Sequence, residues 1–455
     1  MTTTEARPGA RPAPPREPKS GLASLLALPG MAVRGIIRST RATPGRLSVI
    51  GVGLGLLVLL TGIIATVGVQ TKKDTINDLI DHREPLAVAS QQVYRSLSDA
   101  DATAASAFLS VGSEPPALRA RYELDIAQAG AALAKAASDA GDGAAQQVNL
   151  VGQLLPVYTG LVETARANNK QGYPAGASYL REASELMRSK VLPAAQELYQ
   201  IDTDRLANSQ DDANAFPWLS TLLTLGLLAA LAATQIHLTR KTNRVINVGL
   251  LVATGAVVVG LLWGSVAMIV QSTQVRGGEA DGSHQVDVLV RARIAALQAR
   301  ADETLTLVAR GDGASYEKDF ASLQAQLIGA DQKSGLLGEA KGLTAAKTEV
   351  EAANQSALAW FKAYAEIRKT DTSGQYDDAV KAAIDVSKED GSAAAFLRLD
   401  ENLVKAINVG RQNFLDDTRS GDRWLTLLAP GLGVLAVVAA GGVAIGIRER
   451  LREYR

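Results

Sequence analysis

The chain has no cysteine, and its three histidines, His82, His237 and His284, are scattered. The first absence excludes disulfides, thiolate zinc sites and cysteine nucleophiles. The second leaves no histidine cluster for metal or general-base chemistry. Aromatic residues are 4% of 455 positions, too few for a base-stacking surface or a β-rich core. No P-loop, strand-linked GxGxxG, HExxH, GxSxG or kinase signature is present. Net charge is missing too: 47 basic and 47 acidic residues cancel, which argues against a nucleic-acid-binding protein. What is abundant is Ala, Leu, Glu, Lys and Gln, a composition that favours helix.

Charge is also absent locally. Residues 48–69, 216–236, 247–270 and 424–447 carry no ionisable side chain. A bilayer core needs about 20 apolar helical residues, so each run is long enough to span. The intervening charges set orientation. Residues 1–47, 237–246 and 448–455 together hold 15 basic and 4 acidic residues, a net +11. Residues 70–215 and 271–423 hold the remainder, a net −11. The basic pieces belong in the cytoplasm, with both termini inside and the two long segments outside. Trp218 and Trp424 begin spans two and four, at headgroup level. The first run, behind a basic leader of 47 residues, is expected to stay as a span rather than be cleaved as a signal peptide.

The span–segment–span pattern occurs twice, and short matches echo it. Val69-Gln70-Thr71 returns as Val270-Gln271-Ser272, and Asp101-Ala-Thr103 as Asp302-Glu-Thr304. Tyr122-Glu-Leu-Asp125 parallels Tyr316-Glu-Lys-Asp319, Tyr173 parallels Tyr376, and Asp211-Asp212 parallels Asp416-Asp417. An internal duplication follows, with parallel halves. Apolar residues recur at helical spacing (Leu79, Leu86, Val93, Leu97, Ala104 and Phe108). Breakers divide the first segment into helices near 70–111, 116–139, 144–169 and 175–214. The second breaks at Gly311–Gly313, Ser334–Gly338 and Thr370–Gly374. The expectation is an all-α membrane protein: four transmembrane helices and two tandem extracytoplasmic four-helix bundles. The outer helices should run into the spans. The high Ala content predicts close packing and little interior cavity.

Candidate chemistry is sparse. Uncharged spans argue against a transporter. GxxxG at Gly51–Gly55, Gly260–Gly264 and Gly442–Gly446 points to close packing in the stem, and Pro430 to a kink. Carboxylates such as Asp99, Asp101, Asp416 and Asp417 read as solvated helix faces. Residues 1–19 hold five of the fifteen prolines and should be disordered. Residues 20–46 combine leucines with Arg34, Arg38, Arg41 and Arg46. They fit either an amphipathic helix on anionic lipid or a docking segment.

An outside helical segment, membrane helices and short basic ends form the layout of a signal relay without its own output domain. The outer segments resemble the four-helix modules of bacterial chemoreceptors and sensor kinases. The run Ser39-Thr-Arg-Ala-Thr-Pro-Gly-Arg46-Leu before span one, with two tandem in-out-in units, resembles the GlnX-type membrane proteins of actinobacteria. That resemblance implies a non-enzymatic relay. Its partners would be an extracytoplasmic GlnH-type lipoprotein binding aspartate and glutamate, and a cytoplasmic PknG-type Ser/Thr protein kinase. No catalytic, metal or cofactor residue is implied. An outside partner would meet the membrane-distal turns, at Pro115, Pro116, Lys170, Tyr173, Arg310, Asp371 and Tyr376. A kinase or lipid would meet Arg34, Arg38, Arg41, Arg46, Arg240, Lys241, Arg244, Arg448, Arg450 and Arg452. A direct small-molecule sensor and a structural envelope scaffold remain as alternatives. Oligomeric state is open between a pseudo-dimeric monomer and a homodimer.

Overall fold

A computed structural model describes residues 43–110, 114–242, 247–277, 283–332, 334–343 and 346–452. Among them the chain is helical throughout, with no strand. It divides into two compact units. One draws on the chain up to Ala65, Trp218–Leu262 and Gly431–Arg455; the other on Thr66–Pro217 and Trp263–Pro430.

The first unit holds most of four apolar helices: α1 (Thr43–Asp78), α7 (Trp218–Thr242), α8 (Val248–Gly277) and α15 (Leu428–Arg452). All four are long and apolar enough to cross a membrane, and only 11–28% of their most apolar stretches is buried. Leu54, Val58, Leu227, Leu231, Leu250, Ala253, Ala439 and Val443 form the unit's core. Close approach occurs where α8 meets α15. A Cβ added to Gly249 would lie 2.5 Å from the Gly442 carbonyl oxygen and 2.5 Å from Gly446 Cα. Asn247 locks the crossing: its Nδ2 donates to the Gly446 carbonyl at 2.9 Å, and its Oδ1 caps α8 through the Leu250 N–H at 3.3 Å. Thus Gly442–Gly446 serves as a packing motif. Gly55 and Gly264 face open space.

The second unit contains both long segments. The first folds as α2 (Glu84–Phe108), α3 (Pro116–Ala137), α4 (Asp142–Lys170), α5 (Ala175–Leu186) and α6 (Leu192–Asn214). Turns of π-helix, Leu79–Arg83 and Met187–Val191, join α1 to α2 and α5 to α6. Proline lies two residues beyond each, at Pro85 and Pro193. The wider turn relieves the clash of the pyrrolidine ring with the carbonyl four residues back. In its place the Glu84 N–H bonds the Leu79 carbonyl, and the Leu192 N–H the Met187 carbonyl. Helical backbone therefore continues from α1 into α2. At the other ends, Ala215–Pro217 separates α6 from α7, and a turn at Leu427 separates α14 (Ser392–Thr426) from α15. Pro430 cannot donate to the Thr426 carbonyl, which places the break at the head of span four rather than within it.

The second segment has more pieces than expected: α9 (His284–Val308), α10 (Ala314–Ile328), α11 (Gly335–Gly342), α12 (Lys347–Thr372), α13 (Tyr376–Ile384) and α14. One extra break lies at Leu343. The other follows Ile384, where Asp385 Oδ1 accepts the Ser387 N–H at 2.8 Å and its hydroxyl at 2.6 Å. That local turn competes with the helix.

α2 and α9 are both 25 residues long, 200 positions apart, and buried on nearly every side. They pack on each other through small residues. One core cluster accordingly draws on both segments, with Val93, Leu97, Tyr158, Leu180 and Met187 beside Val290, Ile294, Leu305 and Val380. A second, aromatic cluster belongs to the second segment. There Phe320 stacks on Tyr364 at 3.7 Å, and Trp360 meets Phe396 edge-on at 5.2 Å.

Candidate functional site

The sequence predicts little interior space, yet the long helices α2, α6, α9 and α14 enclose a cleft of about 340 Å³. Both segments line it, so a single-bundle picture could not foresee it. α2 and α6 present residues three or four apart. They are Glu84, Val88, Gln91 and Arg95 from α2; Tyr199, Thr203, Leu206 and Gln210 from α6; Asp287 and Arg293 from α9; and Val404, Ile407, Asn408, Arg411 and Phe414 from α14. A second cleft of about 480 Å³ shares Tyr199, Thr203 and Asp287. The Tyr199 hydroxyl donates to Asp287 there.

Most charges in the first cleft are already paired. Arg411 Nε lies 2.6 Å from Glu84 Oε1, and Arg293 Nη2 lies 3.1 Å from Asp400 Oδ2. Arg95 is different. It donates to the Gln92 side chain and makes no ion pair among the described residues. Burial, with the Arg293 guanidinium close by, pushes its pKa down to about 10 against the opposing pull of Asp99, Asp400 and Asp125.

Further along α2 and α9 the unit holds a buried ionic knot. Asp101 and Asp302, the two aspartates of the repeated Asp-x-Thr, are 3% and 1% exposed. Both reach Arg188, which the second π-turn carries. Its Nε stands 3.8 Å from Asp101 Oδ2, and its Nη1 bonds Asp302 Oδ1. Asp101 also accepts from Ser184 at 2.8 Å and from Tyr158 at 3.4 Å. Asp302 Oδ2 and Arg188 Nη2 are buried without a hydrogen-bond partner among the described residues. Burial raises the pKa of Asp101 and pushes that of Asp302 up to about 7, against the pull of Arg188. Asp99, also buried, takes Arg121 at 2.8 Å, and beside it burial pushes Asp125 up to about 7. The expectation of solvated carboxylates at Asp99 and Asp101 is therefore overturned: both are buried and bonded to Arg121, Ser184 and Tyr158 of their own segment. Glu303 is satisfied on three sides, by Trp360 Nε1 at 2.8 Å, Arg300 at 2.7 Å and Ser392.

The expected contact residues lie apart from both features. Tyr173 is exposed (57%) in the turn after α4, beside exposed Lys170 at that helix's end. Pro115 precedes α3, and Pro116 is its first residue. Arg310 and Tyr376 come together, with the guanidinium 4.6 Å from the ring centroid. Tyr376 is half-buried against the core, whereas its counterpart Tyr173 is open. Asp371 pairs with Arg368. Among the basic residues, Arg240 closes α7 and Arg448 and Arg452 are exposed on α15. Arg34, Arg38, Arg41 and Arg244 lie outside the described residues, as do the side chains of Arg46, Lys241 and Arg450. Arg95, Arg188 and Asp302 were not singled out as site residues from sequence. The repeated Asp-x-Thr was the available signal for the last.

Residues 75–211 match the family model of the actinobacterial sensor domain. The match covers the first segment from the end of α1 through most of α6. It supports an actinobacterial sensor protein with a sensing or signalling role. No curated protein and no solved structure gives a match.

Proposed function

We propose that this chain is a non-enzymatic transmembrane relay. It passes amino-acid (aspartate/glutamate) availability from an extracytoplasmic binding lipoprotein to a cytoplasmic Ser/Thr protein kinase. The observation that carries the reading is the sensor-domain match over residues 75–211. That stretch starts on α1, the same helix that holds the first apolar run. The charge division, +11 in the short pieces and −11 in the long segments, supports cytoplasmic termini. The lipoprotein and the kinase rest on the GlnX-type resemblance. In this reading, shifts of about 1–2 Å between packed helices carry the signal.

Crosslinking of the intact protein in membranes, followed by capture, tests it. Recovery of both a substrate-binding lipoprotein and a soluble kinase is expected. Recovery of neither would leave a scaffold role. A second reading, direct small-molecule sensing, is favoured by one observation: a cleft of about 340 Å³ lined by both segments, within the usual size range of ligand sites.

A further inference from the structure

We infer that the cleft between α2, α6, α9 and α14 is a binding site for a small organic carboxylate, with Arg95 as its anion-binding group. The inference deepens the second, direct-sensing reading and rests on it; it is independent of which cytoplasmic partner receives the signal.

Three observations converge. The first is charge. Arg293 and Arg411 are each matched to a carboxylate, at 3.1 and 2.6 Å. Arg95 lines the same cleft with a neutral amide as its hydrogen-bond partner and no ion pair among the described residues. Asp99, Asp125 and Asp400 act on Arg95 only from beyond ion-pair distance, so its half-buried guanidinium has no bonded carboxylate, and a guanidinium fork fits a carboxylate in particular. The second is the remainder of the wall. Gln91, Gln210 and Asn408 offer amides to a polar substituent, while Val404, Ile407 and Phe414 offer apolar surface to an uncharged body. Few polar groups on a partly apolar wall is the usual make-up of a ligand pocket. The third is location. The lining comes from the first and last helices of both segments, and Glu84, at one end of the cleft, follows directly on the π-turn Leu79–Arg83. A ligand here would touch the first and last helices of both segments at once.

Cation binding fits less well. Glu84 is taken by Arg411, and Asp287 by Tyr199 and by Arg291 at 2.7 Å. An inorganic anion would satisfy Arg95 but leave the apolar wall empty.

The test is calorimetry on the full-length protein in nanodiscs at low salt. The probes are succinate, benzoate and isovalerate, each beside its uncharged amide. Saturable binding of at least one carboxylate is expected, at least tenfold tighter than its amide. Arg95→Gln should weaken it by at least tenfold, in line with the loss of one charge-assisted hydrogen-bond pair. If Arg95→Gln fails to fold, Val404→Trp, which fills the cleft while keeping the charge, should abolish binding instead. Binding unchanged in both variants, amides equal to acids, or no binding by any probe overturns the inference. Lipoprotein capture by the same preparation separates the two readings. Capture without carboxylate binding sinks the cleft and leaves the relay. Carboxylate binding that leaves kinase substrate phosphorylation unchanged keeps the cleft and sinks the sensor role.

Discussion

Neutralising Asp302 should flatten the pH dependence of stability. Arg188 and Tyr316 face this carboxylate, and Asp101 and Asp319 lie close enough to oppose its ionisation. Burial pushes its pKa up to about 7, against about 3.9 in an unfolded chain. Between those values the folded state holds a proton that the unfolded state has released. Stability therefore falls as pH rises through this window, and levels off above the folded value. Each pH unit is worth about 1.4 kcal/mol, so moving from pH 5 to pH 8 costs about 3 kcal/mol at this one site. At ~2 °C per kcal/mol for a unit of this size, the wild type should lose about 6 °C more than Asp302→Asn over the range. The assay is thermal unfolding by intrinsic fluorescence of both proteins in one detergent, at half-unit pH steps. The comparison cancels carboxylates common to both. Parallel pH profiles would refute the argument, because a carboxylate fully ionised at pH 5 has no proton left to release.

Other perturbations follow from the same geometry. Glu303→Gln leaves Arg300 buried beside a neutral amide, and should cost about 3–5 kcal/mol in chemical denaturation, with a shift in the Trp360 emission. Gly249→Leu should lower the melting temperature in detergent, since its Cβ would lie 2.5 Å from three backbone atoms of α15. Gly255→Leu, with nothing within 4 Å of the added carbon, should not. Tyr173→Ala should leave stability within about 0.5 kcal/mol while lowering the yield of an outside crosslinked partner; unchanged yield would remove that turn from the docking surface.

The spans were legible because lipid imposes a rule, about 20 uncharged residues, that composition alone can satisfy or fail. The breaks before Pro116 and at Gly172–Pro174 were legible from proline and glycine chemistry. The joint core was not. α2 reads as amphipathic, with Leu86, Val93 and Leu97 on one face, but outside that stripe it carries Ser96, Ser98 and Thr103. These residues look solvent-facing in isolation, yet they are buried, in a helix that packs against both segments. Hydropathy cannot detect burial that depends on small side chains from a distant segment. The same failure hid the ionic knot: an aspartate gives no sequence sign that its arginine lies 87 or 114 residues away. Local hydrogen bonding likewise decided the extra break after Ile384, where Asp385 found Ser387.

The knot also bears on why two repeats share one polypeptide. Asp101 and Asp302 are counterparts, yet a single arginine serves both, and it comes from one half alone. A pair of identical subunits meeting on a twofold axis would bring two such arginines or none. Fusion into a single chain allows the odd number. It lets the unit bury two carboxylic groups around one guanidinium, a ratio that no symmetric assembly of either half could reproduce.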